Sequence, residues 1–229
     1  MRFAAIETAT EWCSIALWLD GEIVALEQRA ANRQGEVVLP MLERLLGIGK
    51  CALGELEAIA YGAGPGAFTG LRIACGVAQG LALARGLPVI GVSTLEATAE
   101  ESGGERVLVA LDARMRQVYC AAYDKRAGGW QNVLPAACAA PQEVEIPPTG
   151  ADWLGCGSGF EAYGEALQAR LGGVLAAVAP AARPSAAALA RLAAPRLAAG
   201  EGVDAAQARP HYVRDKVALT ATEQAGLRR

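Results

Sequence analysis

Histidine is almost missing from this sequence: His211 is the only one in 229 residues. A single imidazole excludes any site that needs two histidine ligands, and with it the zinc helix that carries paired histidines. Lysine is nearly as scarce, supplying 3 of the 21 basic residues, a bias toward Arg and Ala that codon usage explains without a functional cause. The cysteines are too few and too scattered for a staple. Cys13, Cys51, Cys75, Cys120, Cys138 and Cys156 include no Cys-x-x-Cys pair, so reduced thiols in a cytoplasmic protein are expected. No charged n-region with an apolar h-region follows Met1-Arg2, so no signal peptide is expected. The apolar helix candidate near Leu71–Ala84 is too short and too broken by glycine to span a bilayer, and no membrane association is expected. Cationic excess is lacking as well. The formal charge of −3 and pI near 5.4 give no support for unaided gripping of a nucleic-acid backbone.

What is present is a globular composition, 53% hydrophobic and 20% charged, at a length suited to two small lobes. Arg2–Ile6 reads as a strand ending at Glu7, Trp12–Leu19 as a second, and Glu22–Gln28 as a third beyond the Asp20-Gly21 hairpin signal. An amphipathic helix is expected over 36–48, with Val38, Met41, Leu42 and Leu45 at helical spacing and Pro40 in its first turns. Leu56–Tyr61 reads as a strand opening into the glycine-rich run Gly62–Gly70. A helix over Leu71–Arg85 stops at Gly86, Pro88–Val92 is a strand, and Ser93 and Glu96 form a capping box for a short helix. Ser102-Gly103-Gly104 marks a boundary between lobes 1–104 and 105–229, with the tail expected to pack back on the first lobe. Beyond it Arg106–Asp112 repeats the opening pattern of an apolar strand ending in one acid, and Gln117–Tyr123 follows as a second strand. The acids Glu7 and Asp112 lie 105 residues apart, which suggests one supersecondary unit used twice. A Pro-punctuated stretch over 135–148 leads to the strand Trp153–Cys156, a helix Phe160–Leu171, and a Ser185-capped helix Ala186–Ala199 that Pro195 should kink or divide. The last dozen residues are polar and expected to fray.

Four features offer chemistry. The glycine run places backbone N–H groups where an anion binds, or else lets strand and helix pack closely; it lacks a following ribose-binding acid and a Gly-Lys-Ser/Thr. Glu7 and Asp112 suit either a metal–phosphate complex or a hydrogen-bonded turn. His211 has no evident nucleophile partner. The helix over 71–85 carries Ala74, Gly76, Ala78, Gly80 and Ala82, small residues that allow close approach inside the fold or across subunits.

The run from Ala60 through Gly64, Pro65, Gly66, Phe68, Thr69, Gly70 and Arg72 to Ile73 resembles a signature of the bacterial TsaB family of tRNA threonylcarbamoyladenosine biosynthesis proteins. So do Ala5–Thr10, Leu39-Pro40-Met41, Val89–Leu95, Leu108–Arg114 and the closing Pro210–Ala218. The resemblance implies an α/β fold of two duplicated actin/hexokinase/Hsp70-like (ribonuclease H-like) lobes with mixed sheets. It implies a non-catalytic subunit that binds TsaD and TsaE and supports threonylcarbamoylation of N6 of adenosine 37 in tRNAs reading ANN codons. ATP and metal are then expected on those partners, with no cofactor or metal held stably by this chain and tRNA met through the complex. Alone, the chain is expected to form a homodimer. The expected partner interface lies on the two helices, at Val38, Met41, Leu42, Leu45, Ala74, Cys75, Ala78, Gln79 and Ala82. Two positions depart from the family pattern: Glu7 replaces the usual Asp of the first loop, and Gln34 stands where relatives often carry histidine. The alternatives are an ATP-dependent small-molecule kinase of the same fold and a purely self-associating module; a metallopeptidase is contradicted by the single histidine.

Overall fold

The computed structural model describes residues 1–31, 33–148 and 150–214. The closing residues Asp215, Lys216, Val217 and Ala218 of the family-like segment, and the polar end of the chain, lie outside them.

Strands β1 (Arg2–Glu7), β2 (Trp12–Leu19) and β3 (Glu22–Arg29) form an antiparallel meander. Helix α1 (Gln34–Ile48) leads by a short 3-10 turn to β4 (Ala58–Gly64), then α2 (Phe68–Leu83), β5 (Val89–Ser93) and α3 (Thr94–Ser102). The second half repeats this plan with β6 (Arg106–Asp112), β7 (Val118–Arg126), β8 (Gly129–Ala139), β9 (Trp153–Cys156), α4 (Ser158–Leu171), β10 (Leu175–Ala179) and α5 (Ala186–Ala198). The sheet orders are β3-β2-β1-β4-β5 and β10-β9-β6-β7-β8, the same order read from opposite edges. A single 3-10 turn, Pro141–Glu143, stands where the first lobe has α1.

Both central strands are continuous apolar runs because both faces of each sheet are covered. Ala4 and Ile6 point toward α1 and α2, and Phe3 and Ala5 toward α5. Leu108 and Ala110 point toward α4, and Val107, Val109 and Leu111 toward α3. The inner helices are therefore exchanged. Helix α3, from the first half, covers the second sheet, whereas α5, from the second half, covers the first. Alanines at 5, 16, 58, 60, 186, 190 and 193 line that α5 contact, and their small side chains let helix and sheet approach closely.

Three local expectations are corrected. Pro195 does not divide α5, since it falls in the last turn with three helical residues after it. Pro135 lies within β8, an edge strand where a missing N–H is tolerated, and irregular register with β7 accompanies it. Helix α1 starts at Gln34 and α2 at Phe68, so Pro40 sits in the second turn of α1, on its solvent side.

Candidate functional site

Ser93 caps α3 as its sequence suggests, accepting from the Glu96 N–H, but the Glu96 carboxylate turns instead to Arg196 of α5. Around this pair, Glu100 accepts from Lys125, Trp130 and Arg191, while Glu101 accepts from Ser185 and Arg191. These bonds tie the inner helices to each other and to the β7–β8 ribbon.

The glycine run is a packing device. Gly62 leaves room for the buried Glu7 carboxylate, which a Cβ would overlap, and a Cβ on Gly70 would collide with the Thr8 carbonyl. The turn after β1 thus seats directly on the start of α2. Thr8 Oγ1 donates to the Gly70 carbonyl at 2.7 Å, and the Ala67 N–H donates to the Ala9 carbonyl at 2.8 Å. An N–H that would otherwise greet an anion at this helix start is already satisfied.

The two acids read as a pair do the same local work. Glu7 Oε1 accepts from the N–H of Ala9 at 2.6 Å, and Asp112 Oδ1 accepts from the N–H of Arg114 at 2.8 Å, each two residues on. Their surroundings differ. Glu7 is 1% exposed, and burial pushes its carboxyl up to about 7 against the opposing hydrogen bonds from Ala9, Thr94 and Thr8. Asp112 opens onto a cleft of about 570 Å³ between the lobes and also meets Arg114 Nη1 at 3.0 Å and the Tyr163 hydroxyl at 3.2 Å. Beyond Asp112 the β6–β7 turn holds Arg114, Met115 and Arg116 consecutively in the left-handed region, φ 60°, 53° and 60°. L-residues resist that conformation, and the turn is held by paired backbone bonds between Ala113 and Gln117 and between Gln117 and Arg114.

The segment 205–214 closes the same cleft as a strap. Gln79 Nε2 donates to the Ala205 and Ala208 carbonyls, the Tyr61 hydroxyl bonds both the N–H and the carbonyl of Arg209, and the His211 N–H donates to the Ala63 carbonyl. Tyr212 packs its ring 5.5 Å from Phe68 and accepts from Arg72 Nε, whose guanidinium stacks 3.8 Å above Phe68. Arg214 then reaches the second lobe, donating to Ala113 and Gln117. Gln34, the family-variant position, lines the cleft and donates to the Thr10 carbonyl at 2.7 Å. Among the described residues no group of three or more His, Cys, Asp or Glu could hold a metal ion, and no helix is long and apolar enough to cross a membrane.

The expected interface residues need correction. Val38, Met41, Leu42, Leu45, Ala74, Cys75, Ala78 and Ala82 are all buried in the first lobe's core, and Gln79 is spent on the strap. The sheet claims the apolar stripe of each helix, so that stripe cannot also face a partner. The outward faces of α1 and α2 carry Leu39, Ile48 and Leu83 at 52%, 50% and 61% exposure, together with Gly76 and Gly80. Among the described residues no atom lies within 4 Å of where a side chain would begin on either glycine. Of the signature loop, Gly64, Pro65 and Gly70 are buried, while Phe68, Thr69 and Arg72 are exposed around the start of α2.

A family model described as TsaD, tRNA N6-adenosine threonylcarbamoyltransferase, matches residues 26–222. A tRNA threonylcarbamoyladenosine biosynthesis protein TsaB from Escherichia coli is 38% identical over 95% of this chain and 96% of its own. The protein of the same name from Haemophilus influenzae is 31% identical over 76% of this chain and 78% of its own. A crystal structure from Pseudomonas aeruginosa, described as an uncharacterized protein with similarity to peptidase YeaZ, is 40% identical, covers 93% of this chain and 99% of that one, and superposes with a TM-score of 0.86.

Proposed function

Since this chain belongs to the TsaB family of tRNA threonylcarbamoyladenosine biosynthesis proteins, we propose that it serves that pathway as a non-catalytic subunit. Its lobes are the duplicated α/β lobes of the actin/hexokinase/Hsp70-like fold. In this reading the chain binds a TsaD-type transferase, with a TsaE-type ATPase completing the assembly that modifies N6 of adenosine 37, and it pairs with a second copy when alone. The work is cytoplasmic, and nucleotide and metal are held by the partners.

One observation carries the partner role: Gly76 and Gly80 stand four residues apart on the exposed face of α2. A glycine inside a helix costs about 1 kcal/mol relative to alanine, and among the described residues no atom lies within 4 Å of where a methyl would sit on either one. A partner helix brought close over both positions, with the exposed Leu83 on the same face of the helix, accounts for that sacrifice. The non-catalytic role is supported by Glu7 being turned inward, by the Ala9 carbonyl at the α2 start and by the lone histidine. A phosphoryl-transferring enzyme would need the first lobe's loop open to phosphate, and Thr8 and Ala9 occupy that position.

The test is a reconstitution with purified TsaD- and TsaE-type proteins, ATP, threonylcarbamoyl-adenylate and unmodified tRNA, omitting each protein in turn. Modified adenosine, read by mass spectrometry, should require this chain, which alone should neither modify tRNA nor hydrolyse ATP. Gly80→Arg should abolish association on a sizing column while leaving the monomer folded. Equal product without the chain sinks the proposal.

A further inference from the structure

The strap across the cleft is held differently on the two lobes. On the first lobe it is tied to three elements in succession. Approaching it, Val203 exchanges backbone bonds with Val89 of β5. Gln79 of α2 then donates to the Ala205 and Ala208 carbonyls, and the Tyr61 hydroxyl of β4 bonds the Arg209 backbone twice. The His211 N–H donates to the Ala63 carbonyl at 2.6 Å, and a Cβ on Gly64 would stand 2.7 Å from the His211 carbonyl, so the strap lies directly on the end of β4. It meets the second lobe through the Arg214 side chain. Arg214 Nη2 donates to the Ala113 carbonyl at 2.9 Å and to Gln117 Oε1 at 2.8 Å, and the guanidinium stands 5.6 Å from the centre of the Tyr119 ring.

Both acceptors belong to the two ends of the β6–β7 turn, where Arg114, Met115 and Arg116 are left-handed in succession. A backbone of that kind persists only where its surroundings over-determine it. Here the turn's own bonds contribute, from the Ala113 N–H to Gln117 and from the Gln117 N–H to Arg114, both 3.0 Å. The Arg214 fork then clamps the same two ends from outside. That fork is carried by a strap fixed to the other lobe, so the shape of the turn depends on where the first lobe holds the strap. Two lobes joined by packed helices, as these are by α3 and α5, keep some freedom to rotate or slide about them. A tether across the cleft removes that freedom.

We propose that the strap is a latch with Arg214 as its catch, holding the two lobes at one separation and coupling that separation to the shape of the β6–β7 turn. The proposal goes beyond the role in tRNA modification and does not depend on it. The catch needs a planar fork rather than a positive charge alone, because it reaches two acceptors at once while facing the Tyr119 ring. Once the catch is released, the cleft widens and the turn relaxes together. An event that favours one state at either place is therefore felt at the other.

The experiment compares the full chain as wild type, Arg214→Ala and Arg214→Lys, without partner proteins or RNA, so its outcome is separate from that of the reconstitution. Spin labels on non-natural residues in place of Glu43 of α1 and Glu165 of α4, both exposed, report the distance between lobes by pulsed electron resonance. Labelled chain is diluted into unlabelled chain so that only distances within one molecule are read. Amide hydrogen exchange reports the turn. Wild type should give one narrow distance distribution. Arg214→Ala should lengthen and broaden it, and the Ala113 and Gln117 amides should exchange about tenfold faster, as loss of a charged hydrogen bond allows. Arg214→Lys should do the same, since it keeps the charge and loses the fork. Exchange in the central strands β1 and β6 should stay as in wild type. Unchanged distances, or unchanged exchange at the turn, in Arg214→Ala overturn the proposal. So does a rise in exchange spread evenly through β1, β6 and the turn, which makes Arg214 an ordinary contributor to stability. Full rescue by lysine overturns it as well, because charge alone would then hold the lobes.

Discussion

Glu7 and Asp112 show what a single residue's surroundings do to one shared local task. Each accepts an N–H two residues on, but Glu7 does so in full burial, where the charged form loses its water. The folded chain therefore binds the Glu7 proton more tightly than the unfolded chain, at about 7 against the ordinary 4.5 of a glutamate. The stability contributed by that proton is complete below about pH 4.5 and is lost as pH rises through about 7. Glu7→Gln keeps an acceptor for Ala9 and removes the ionisation. Its unfolding free energy should gain on wild type between pH 5 and 8 and level off above that, by a difference of about 3 kcal/mol. Urea melts at pH 5 and pH 8.5 would decide it; parallel behaviour of the two proteins across that range means the buried carboxyl does not govern stability.

Helix α2 shows the same logic at the scale of an element. Its inward stripe of Ala74, Cys75, Ala78 and Ala82 is packed on the sheet, and its outward Gly76 and Gly80 leave room for a methyl among the described residues. Gly80→Ala should stabilise the isolated chain by about 0.4–1 kcal/mol, because it lowers unfolded-state entropy where the added methyl is free. Ala78→Leu, two positions earlier, should destabilise it by about 1–3 kcal/mol through overpacking. Thermal melts of the two variants should move in opposite directions, and a shared direction would contradict the assignment of faces. The sequence disclosed both helices and most strands because apolar spacing of 3.6 or 2 survives in them. Eight of the nine side chains it offered for a partner lie in the core, because that same spacing marks whichever side is buried. Strand β10, with the sequence Leu-Ala-Ala-Val-Ala at an edge, went unread because alanine carries too little hydrophobic contrast to show a period. The Gly62–Gly70 run was legible as a family mark and as a close packing, and the tail as a segment expected to pack back on the first lobe, but not the bonds by which the strap is held. Its bonds at Ala63 and Ala208 use backbone carbonyls, which no side-chain pattern announces.

Across the whole molecule, the exchange of α3 and α5 decides how the lobes relate. The sheets part cleanly at the connection near Gly104, yet each half supplies the helix that covers the other half's inner sheet face. Residues 1–104 alone would leave Phe3, Ala5, Ile90 and Val92 without α5, and residues 105–229 alone would leave Val107, Val109 and Tyr123 without Leu95 and Ala99 of α3. The Arg191 bonds to Glu100 and Glu101 and the Glu96–Arg196 pair then join the two helices into one inner layer. Uncovering an apolar sheet face of this kind forfeits about 1.5–3 kcal/mol for each large side chain returned to water, enough over several residues to exceed the stability of a small domain. Neither fragment expressed by itself should give a cooperative thermal transition, whereas co-expression of the two should recover a complex that melts as the intact chain does. In the intact chain, Trp18 of the first sheet and Trp153 of the second, each read as the sole tryptophan of a variant, should report the same urea midpoint. A fragment that melts cooperatively on its own, or midpoints that separate, would mean that each lobe carries its own stability and that the exchanged helices merely dock.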